Sequence, residues 1–434
     1  MRLLIENGRV IDPASGTDQV MDLCLENGVI AELGEGIARN YADDAEIRRI
    51  DATGKIVAPG LVDMHCHLRE PGFEHKETIE TGTRSAAKGG FTSIACMPNT
   101  QPVADNKTVI SYILNRAAAH GAVHVYPIGA VTKGLAGREL APIGELKEAG
   151  AVAVSDDGRP VSDSNLMKNA MIYAAGFDMV VSSHCEDLPL AEGGQINEGC
   201  VADDLGLRGI TPAAEEVMIA RDIVLAQTTG LPVHIAHVST RGGVALLRDA
   251  KRRGVPVTAE TCPHYFSLTE EAVRGFDTNA KMNPPLRTAA DVEAVIEGLC
   301  DGTLDAIATD HAPHAAGEKQ CEFDKAPNGI VGFETALALG ITYLVRPGRL
   351  SLMELLRKMT VNPAAILRLD RGRLARGAAA DLVIFDENRE WVVSAAALAS
   401  KSKNTPYDRK LLAGAVEYTI VDGRVIVDGG ELMV

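Results

Sequence analysis

The chain has 434 residues, of which 46% are hydrophobic and 24% charged, and its formal net charge is −16. This length suits one large domain with a smaller one beside it, and the composition is that of a soluble globular protein. The negative charge disfavours nucleic acid as a partner, since phosphate backbones would be repelled. The N-terminus does not resemble a secretory signal and no apolar run approaches the ~20 residues of a membrane span, so we expect a cytoplasmic protein with no membrane partner.

The two ends of the chain resemble each other in their turn chemistry. In residues 1–55, Asn7 and Asn27 each precede a glycine between apolar runs, and Asn-Gly is the strongest short signal for a hairpin turn. Residues 372–434 contain further strand-like runs, with an Asp-Gly turn at Asp422. Neither end has enough strands for a stable sheet, so we predict that both ends pair into one small β-sandwich domain.

The middle of the chain, residues 56–371, alternates eight short β-branched runs with helical patterns. This alternation indicates repeated βαβ units and a parallel sheet, and eight such units close a TIM-type (β/α)8 barrel, an α/β fold. The predicted strands are 56–65, 91–97, 123–128, 151–155, 179–184, 233–238, 255–261 and 304–309. The predicted outer helices include 77–88, 108–120, 164–175, 214–229, 242–253 and 290–298.

The first predicted barrel strand ends in two histidines and an arginine with alternate spacing. Side chains alternate between the faces of a strand, so His65, His67 and Arg69 are expected to point the same way. This pattern favours a metal pair with an anion-binding group beside it. An isolated pair of this kind is at least as often formed by surface histidines, so the other strand ends decide.

Reactive groups in such barrels lie at the carboxyl ends of the strands, and five predicted strands end in histidine or aspartate. We predict that these side chains meet at one mouth, with no thiolate in reach. Such donors suit zinc, with manganese or cobalt as alternatives, and are too many for one tetrahedral ion. The expected ligands are His65, His67 and Asp310 for one ion, His184 and His237 for a second, and either Asp156 or Asp157 as the bridge.

Four motifs carry a family resemblance. They are His-Cys-His-Leu-Arg-Glu-Pro-Gly at 65–72, Met-Pro-Asn-Thr at 97–100, Lys-Met-Asn-Pro-Pro-Leu-Arg at 281–287 and Ala-Thr-Asp-His-Ala-Pro-His at 308–314. With these motifs the chain resembles class I dihydroorotases of the amidohydrolase superfamily over nearly its whole length. The resemblance implies a zinc-dependent hydrolase that interconverts N-carbamoyl-L-aspartate and (S)-dihydroorotate in de novo pyrimidine synthesis.

The resemblance also implies a role for each site residue. It implies two zinc ions bridged by Asp157, with Asp310 as both ligand and catalytic acid/base. Related cyclic-amide hydrolases bridge their metals with a carboxylated lysine on the fourth strand, where this chain has Asp-Asp-Gly. The implied metal ligands are His65, His67, Asp157, His184, His237 and Asp310. The implied substrate contacts are His67, Arg69, Asn99, Asn283, His314, Asn328 and Gly329.

Two other functions compete with this one. The chain could hydrolyse another cyclic ureide, such as allantoin or a hydantoin, but Arg69 favours a substrate that carries a carboxylate. It could also be a catalytically silent subunit that supports aspartate transcarbamoylase, but such a protein should have lost metal ligands. We expect a small-molecule substrate and a homodimer, and association with aspartate transcarbamoylase stays open. Residues 315–329 are predicted to form a mobile lid.

Overall fold

Eight parallel strands surround the centre of the molecule in the computed structural model, which describes residues 2–433. Each strand pairs with the next along the chain, and a parallel bridge between Cys66 and His311 joins the eighth back to the first. The predicted (β/α)8 barrel is therefore confirmed. Its strands are Leu61–Cys66, Phe91–Cys96, His124–Gly129, Ala153–Val154, Val181–Ser183, Val233–Ile235, Val257–Thr261 and Ala306–Ile307.

Helices follow the barrel strands, and the six predicted ones are present to within two residues at each end. Five of these helices begin at a side chain that accepts a hydrogen bond from the first turn, namely Thr78, Asn106, Asp163, Thr240 and Thr288. The longer helices are Ile79–Lys88, Lys107–His120, Ser164–Ala175, Ala213–Thr229, Arg241–Arg252, Ala289–Cys300, Phe333–Gly340 and Leu352–Met359. Shorter ones are Ile143–Glu148, Leu188–Ala191, Cys200–Leu205, Pro263–Ser267, Ala316–Lys319 and Val361–Ile366. None of the helices within residues 2–433 is long enough and apolar enough to cross a membrane.

Both chain ends contribute to a second sheet of nine strands, as predicted. Apolar side chains from its N-terminal and C-terminal strands pack into one core that is separate from the core of the barrel. Pairing is antiparallel except where Arg2–Asp12 lies parallel to Arg48–Asp51 and Ile56–Pro59. The other strands are Thr17–Glu26, Val29–Gly34, Leu382–Val392, Leu411–Val421, Arg424–Asp428 and Glu431–Leu432.

The first predicted barrel strand, 56–65, is divided between the two sheets. Ile56–Pro59 pairs with Arg2–Asp12 and with Leu382–Val392 in the terminal sheet, so this sheet extends past residue 55. The barrel strand begins only after Gly60. The hydrophobic pattern could not separate the two strands because every residue of both is buried.

The hairpin turn predicted at Asn7 is wrong, whereas those at Asn27 and Asp422 are confirmed. Asn7 lies inside a continuous strand with a φ of 61°, where the pairing register shifts before Gly8. An Asn-Gly pair supplies the left-handed conformation that a turn needs, and here it supplies a β-bulge instead. The backbone amide of Asn7 donates to Asp22 Oδ1 at 2.9 Å, which stabilises the bulge.

The position of Gly60 generates a prediction about stability. A Cβ atom at Gly60 would lie 2.1 Å from Oγ1 of Thr92, so Gly60→Ala forces two buried strands apart. We expect a loss of about 1–3 kcal/mol in the free energy of unfolding, measured as a lower melting temperature. Gly317→Ala is the matched control, since a Cβ there meets no described atom within 4 Å. Equal melting temperatures for the two variants would contradict this account.

Candidate active site

A cavity of about 550 Å³ opens at the carboxyl ends of the barrel strands. It is lined by nearly all of the predicted site residues, which come from separate strands and loops. The exception is His65, which is fully buried. The predicted residues in the lining are His67, Arg69, Asn99, Asp157, His184, His237, Asn283, Asp310, His314, Asn328 and Gly329.

The carboxylate of Asp157 is surrounded by four imidazoles. Its Oδ1 atom lies 3.4 Å from Nε2 of His65, 3.4 Å from Nε2 of His237 and 3.5 Å from Nδ1 of His184. Its Oδ2 atom lies 3.5 Å from Nε2 of His67. A carboxylate with donors on both of its oxygens has the arrangement that a bridging ligand needs.

Asp310 approaches the same cluster from the end of the eighth strand. Its Oδ1 atom lies 3.1 Å from Nε2 of His67 and 3.6 Å from Nε2 of His65. The ligand atoms of Cys262, His264 and Asp310 also lie within 4.8 Å of one another, so one cysteine approaches the cluster. Burial raises the pKa of the Cys262 thiol, which keeps it protonated at neutral pH.

Two atoms of the cluster test whether the residues fit a metal. Nε2 of His65 and Oδ1 of Asp157 are buried and have no hydrogen-bond partner among residues 2–433. Leaving a buried polar atom without a partner costs about 1–3 kcal/mol, so such atoms call for an explanation. Both atoms point into the imidazole and carboxylate cluster, and a cation bound there would satisfy them. The donor set therefore fits a metal centre.

The structure separates the two neighbouring aspartates that spacing alone left open. Oδ1 of Asp156 accepts hydrogen bonds from the backbone amides of Val131 and Thr132 at 2.8 and 3.0 Å, and its Oδ2 binds the Thr132 hydroxyl. Burial raises the pKa of Asp156 to about 6, against these hydrogen bonds. Asp156 thus joins two loops, and Asp157 alone faces the histidines.

Sequence reasoning missed Glu260, a fully buried acid on the seventh strand. Nδ1 of His65 donates to Oε1 of Glu260 at 2.7 Å, which leaves Nε2 of His65 facing the cluster. Burial raises the pKa of Glu260, but hydrogen bonds with His234 and His65 outweigh it and lower the pKa to about 2. Carboxylates commonly orient metal-binding histidines in this way. The signal in the sequence was a charged residue inside a buried strand.

The other imidazoles are held in a similar manner. Nδ1 of His67 donates to Oδ1 of Asn99 at 2.9 Å, and Nε2 of His184 lies 3.1 Å from Oε2 of Glu186. Glu186 also accepts from Nδ2 of Asn283 at 3.1 Å. Asn99 and Asn283, which were predicted as substrate contacts, therefore line the cavity and also support the histidines.

Arg69 reaches the cavity by a route that strand alternation did not predict. The strand ends at Cys66, and Arg69 lies beyond it with a φ of 63°. Its Nε atom donates to the carbonyl of Pro313 at 3.1 Å. Within the described residues 2–433 Arg69 makes no ion pair, and the carboxylates of Asp310 and Asp157 act on its charge only from a distance. Its charge therefore remains available to an anion in the cavity.

His314 lies beside Arg69 and is neutral. Burial and the nearby charges of Arg69 and Lys76 lower the pKa of His314 to about 2. Nε2 of His314 donates to the carbonyl of Asn328 at 2.7 Å. Nε2 thus carries the proton and cannot accept from the Arg69 guanidinium 3.4 Å away. This proton position leaves the terminal nitrogens of Arg69 for a ligand.

Comparisons with known proteins identify the family of this chain. Residues 54–243 match a family described as Dihydro-orotase-like, and residues 324–427 match the Amidohydrolase family. The dihydroorotase of Acetivibrio thermocellus is 59% identical over 425 residues, covering 98% of this chain and 99% of that protein. The dihydroorotase of Geobacter sp. strain M21 is 56% identical over 430 residues, covering 99% and 100%. This chain belongs to the dihydroorotase family.

Solved structures extend the comparison to the fold. The L-hydantoinase (dihydropyrimidinase) of Arthrobacter aurescens superposes with a TM-score of 0.89 at 27% identity, covering 100% of this chain and 97% of that one. The dihydropyrimidinase of Brevibacillus agri has a TM-score of 0.86 at 23% identity, covering 100% and 96%. The second likeness concerns the fold alone.

In this member of the dihydroorotase family, two buried lysines anchor the loop 315–329. Nζ of Lys319 donates to the carbonyls of Thr278 at 2.9 Å and Pro327 at 2.7 Å. Nζ of Lys281 donates to the carbonyl of Phe323 at 2.7 Å. These contacts hold the loop beside the cavity, and its motion as a lid stays a prediction.

Asn404 is a second residue that sequence reasoning missed. It lies in the C-terminal part of the chain yet is buried against the barrel mouth. Its Nδ2 atom donates to the carbonyls of Ala312 at 3.1 Å and Gly329 at 3.0 Å, and its Oδ1 accepts from the amide of His314 at 3.0 Å. Its own carbonyl accepts from the amide of Val331 at 2.9 Å. One side chain thereby fixes both loops that carry the predicted substrate contacts.

The role of Asn404 can be tested directly. Asn404→Leu preserves the approximate size of the side chain but removes three hydrogen bonds, each worth about 1 kcal/mol. We expect amide hydrogen exchange across residues 312–331 to accelerate by at least about tenfold, with the rest of the barrel unchanged. Asn388→Leu, at an exposed position, is the control. Unchanged exchange in the Asn404 variant would show that other contacts hold these loops.

Proposed function

We propose that this protein is a dihydroorotase, which interconverts N-carbamoyl-L-aspartate and (S)-dihydroorotate plus water. The observation that carries the proposal is the Arg69 guanidinium facing the same cavity as the histidines around Asp157. Dihydroorotate presents a cyclic amide to be opened and a carboxylate to be bound, and the cavity offers one group of residues for each. The reaction belongs to de novo pyrimidine synthesis, which we place in the cytoplasm.

We propose two zinc ions in the cluster. His65, His67 and Asp310 would hold one, His184 and His237 the other, and Asp157 would lie between them. The support is two groups of donor atoms within 4.8 Å of one another, one from His65, His67 and Asp310 and one from His65, Asp157 and His237. Nδ1 of His184 lies 3.5 Å from Oδ1 of Asp157. Divalent ions bound there supply a Lewis acid for the carbonyl and lower the pKa of water to about 7.

Asp310 is the residue we assign to proton transfer. Burial raises its pKa, but the hydrogen bond from His67 and the charges of His65 and His67 outweigh burial and lower it. Asp310 is therefore a carboxylate at neutral pH, able to accept a proton from the attacking water. In ring opening it then delivers this proton to the departing amide nitrogen, and in ring closure the transfer runs backward.

Arg69 is the residue we assign to substrate choice. A guanidinium can bind a carboxylate through two parallel hydrogen bonds, which a lysine cannot reproduce. Its Nε atom is already bonded to Pro313, so the terminal nitrogens are the ones we assign to the substrate. Asn99, Asn283, His314 and the Asn328-Gly329 backbone complete the proposed contacts, since all of them line the cavity.

Substrate choice gives the first test. Arg69→Gln is expected to lower kcat/KM for dihydroorotate by about 100-fold or more, through the lost charge-assisted hydrogen bonds, and to spare hydantoin, which has no carboxylate. Arg159 also lines the cavity, so Arg159→Gln is the matched comparison. A larger loss of kcat/KM in Arg159→Gln than in Arg69→Gln would mean that Arg159 binds the substrate carboxylate. Preference of the unaltered enzyme for hydantoin would favour the hydantoinase function of its structural relative.

Asp310 gives the second test. Asp310→Asn removes the proton acceptor and is expected to lower kcat by about 10²–10⁴-fold. Metal per chain is measured alongside, because loss of a ligand should also weaken one of the two metals. Asp301→Asn, at an exposed acid, is the control. Normal turnover with full metal in the Asp310 variant would overturn the assignment.

The partner predictions are proposals as well. The catalytically silent subunit is disfavoured because all six predicted metal ligands are present in one cluster. A homodimer and an association with aspartate transcarbamoylase stay predictions, which sedimentation of the enzyme alone and mixed with that transcarbamoylase would check.

A further inference from the structure

A second group of metal-binding side chains lies at the opposite end of the barrel from the cavity. His124 begins the third barrel strand, and the amino ends of parallel strands point away from the active site. Asp381 directly precedes the strand Leu382–Val392, and Asp422 lies in the turn after Leu411–Val421. The three residues thus come from three distant segments, where the bottom of the barrel meets the terminal sheet.

The distances in this group agree with those of a metal site, and a histidine and a carboxylate are separated by the same 3.3 Å at His234 and Glu260. Nε2 of His124 lies 3.3 Å from Oδ2 of Asp381 and 3.5 Å from Oδ1 of Asp422. Charge-assisted hydrogen bonds are shorter, at about 2.7–2.9 Å. Tetrahedral zinc with bonds of about 2.0–2.2 Å separates neighbouring ligand atoms by roughly 3.3–3.6 Å. The same spacing, 3.4 to 3.5 Å, separates Asp157 from its four histidines.

Two atoms of the group are buried and have no hydrogen-bond partner within residues 2–433. They are Nε2 of His124 and Oδ2 of Asp381, and they face each other. The Asp381 side chain is only 6% exposed, and its Oδ1 atom accepts from the amide of Asp422 at 2.9 Å, which fixes the direction of Oδ2. The same lack of a hydrogen-bond partner marks Nε2 of His65 and Oδ1 of Asp157 in the active site, and Nε2 of His234 and Oε2 of Glu260. A cation between the three side chains would satisfy both atoms.

The surroundings allow an ion to enter. A cavity of about 500 Å³ reaches His124 and Asp422, and the Asp422 side chain is 55% exposed, so water can complete the coordination. One cation competes, since Nε of Arg371 lies 3.3 Å from Oδ2 of Asp381. That nitrogen also donates to the Tyr126 hydroxyl at 3.2 Å, so it has a partner that an incoming ion does not remove.

We propose that His124, Asp381 and Asp422 form a structural site for a divalent cation, zinc by its mixed nitrogen and oxygen donors. The ion joins the barrel to the two C-terminal segments that carry the aspartates. Its binding free energy adds to the stability of the folded state, because the three ligands converge only there. The ion lies at the opposite end of the barrel from the cavity and therefore takes no part in catalysis.

The test compares zinc content among variants of the full chain. Asp422→Asn keeps a residue that tolerates the φ of 47° at this turn but removes the charged ligand, and His124→Gln removes the imidazole. Each protein is equilibrated with excess zinc, desalted and analysed for metal. Asp428→Asn, an acid on the following strand that pairs with Arg48, is the control. We expect both ligand variants to hold one zinc fewer per chain than the unaltered protein and the control, with unchanged kcat.

Thermal melting provides a second readout. Zinc added to chelator-treated protein is expected to raise the melting temperature less in Asp422→Asn and His124→Gln than in the control, by the share that this site contributes. Equal zinc content in all four proteins overturns the proposal. A ligand variant that loses zinc only when it also loses enzymatic activity overturns it as well. If one variant fails to fold, the other decides, because each removes a different ligand.

Discussion

The organisation of the active site depends on one buried carboxylate, Asp157, held among four imidazoles. A carboxylate and imidazoles removed from water are costly unless each is paired, and here two of the atoms find no hydrogen-bond partner within residues 2–433. The surrounding residues reduce this cost only in part. Glu260, Asn99 and Glu186 each bind the outward nitrogen of a histidine, so that the inward nitrogens all face Asp157. The arrangement is a site prepared for cations rather than a network complete in itself.

Closure of the barrel brings this arrangement together. Asp63, on the first strand, accepts hydrogen bonds from the amide of Thr309 at 2.9 Å and from its hydroxyl at 2.6 Å. Burial raises the pKa of Asp63 to about 7, although these hydrogen bonds oppose the shift. The amide of Asp310 then donates to the carbonyl of His65 at 3.0 Å. These hydrogen bonds make neighbours of residues from the first strand and from the end of the eighth strand.

The sequence predicted those parts of the site that obey a rule about position. Histidines and aspartates at strand ends converge because parallel strands end at one edge, and this rule placed His184 and Asp310 correctly at the cavity. It could not choose between Asp156 and Asp157, since that choice depends on how the chain rotates after a two-residue strand. The rule about strand ends could not predict Asn404, because nothing in the local sequence distinguishes an asparagine that forms hydrogen bonds with loops about 75–90 residues away.

His65, His67 and Arg69 lie together at the barrel mouth for a reason other than the strand alternation expected from the sequence. Alternation requires a continuous strand, yet the strand ends before His67, and Arg69 adopts a left-handed conformation. His237 and Asp310, at the ends of two other strands, have positive φ values of 35° and 45°. Such conformations cost of order 1–3 kcal/mol each in residues other than glycine and persist only where surrounding contacts impose them. Three strands thus turn sharply at the cavity, and the contacts that hold these turns, such as Arg69 to Pro313 and His67 to Asp310, are the contacts that aim the side chains into it.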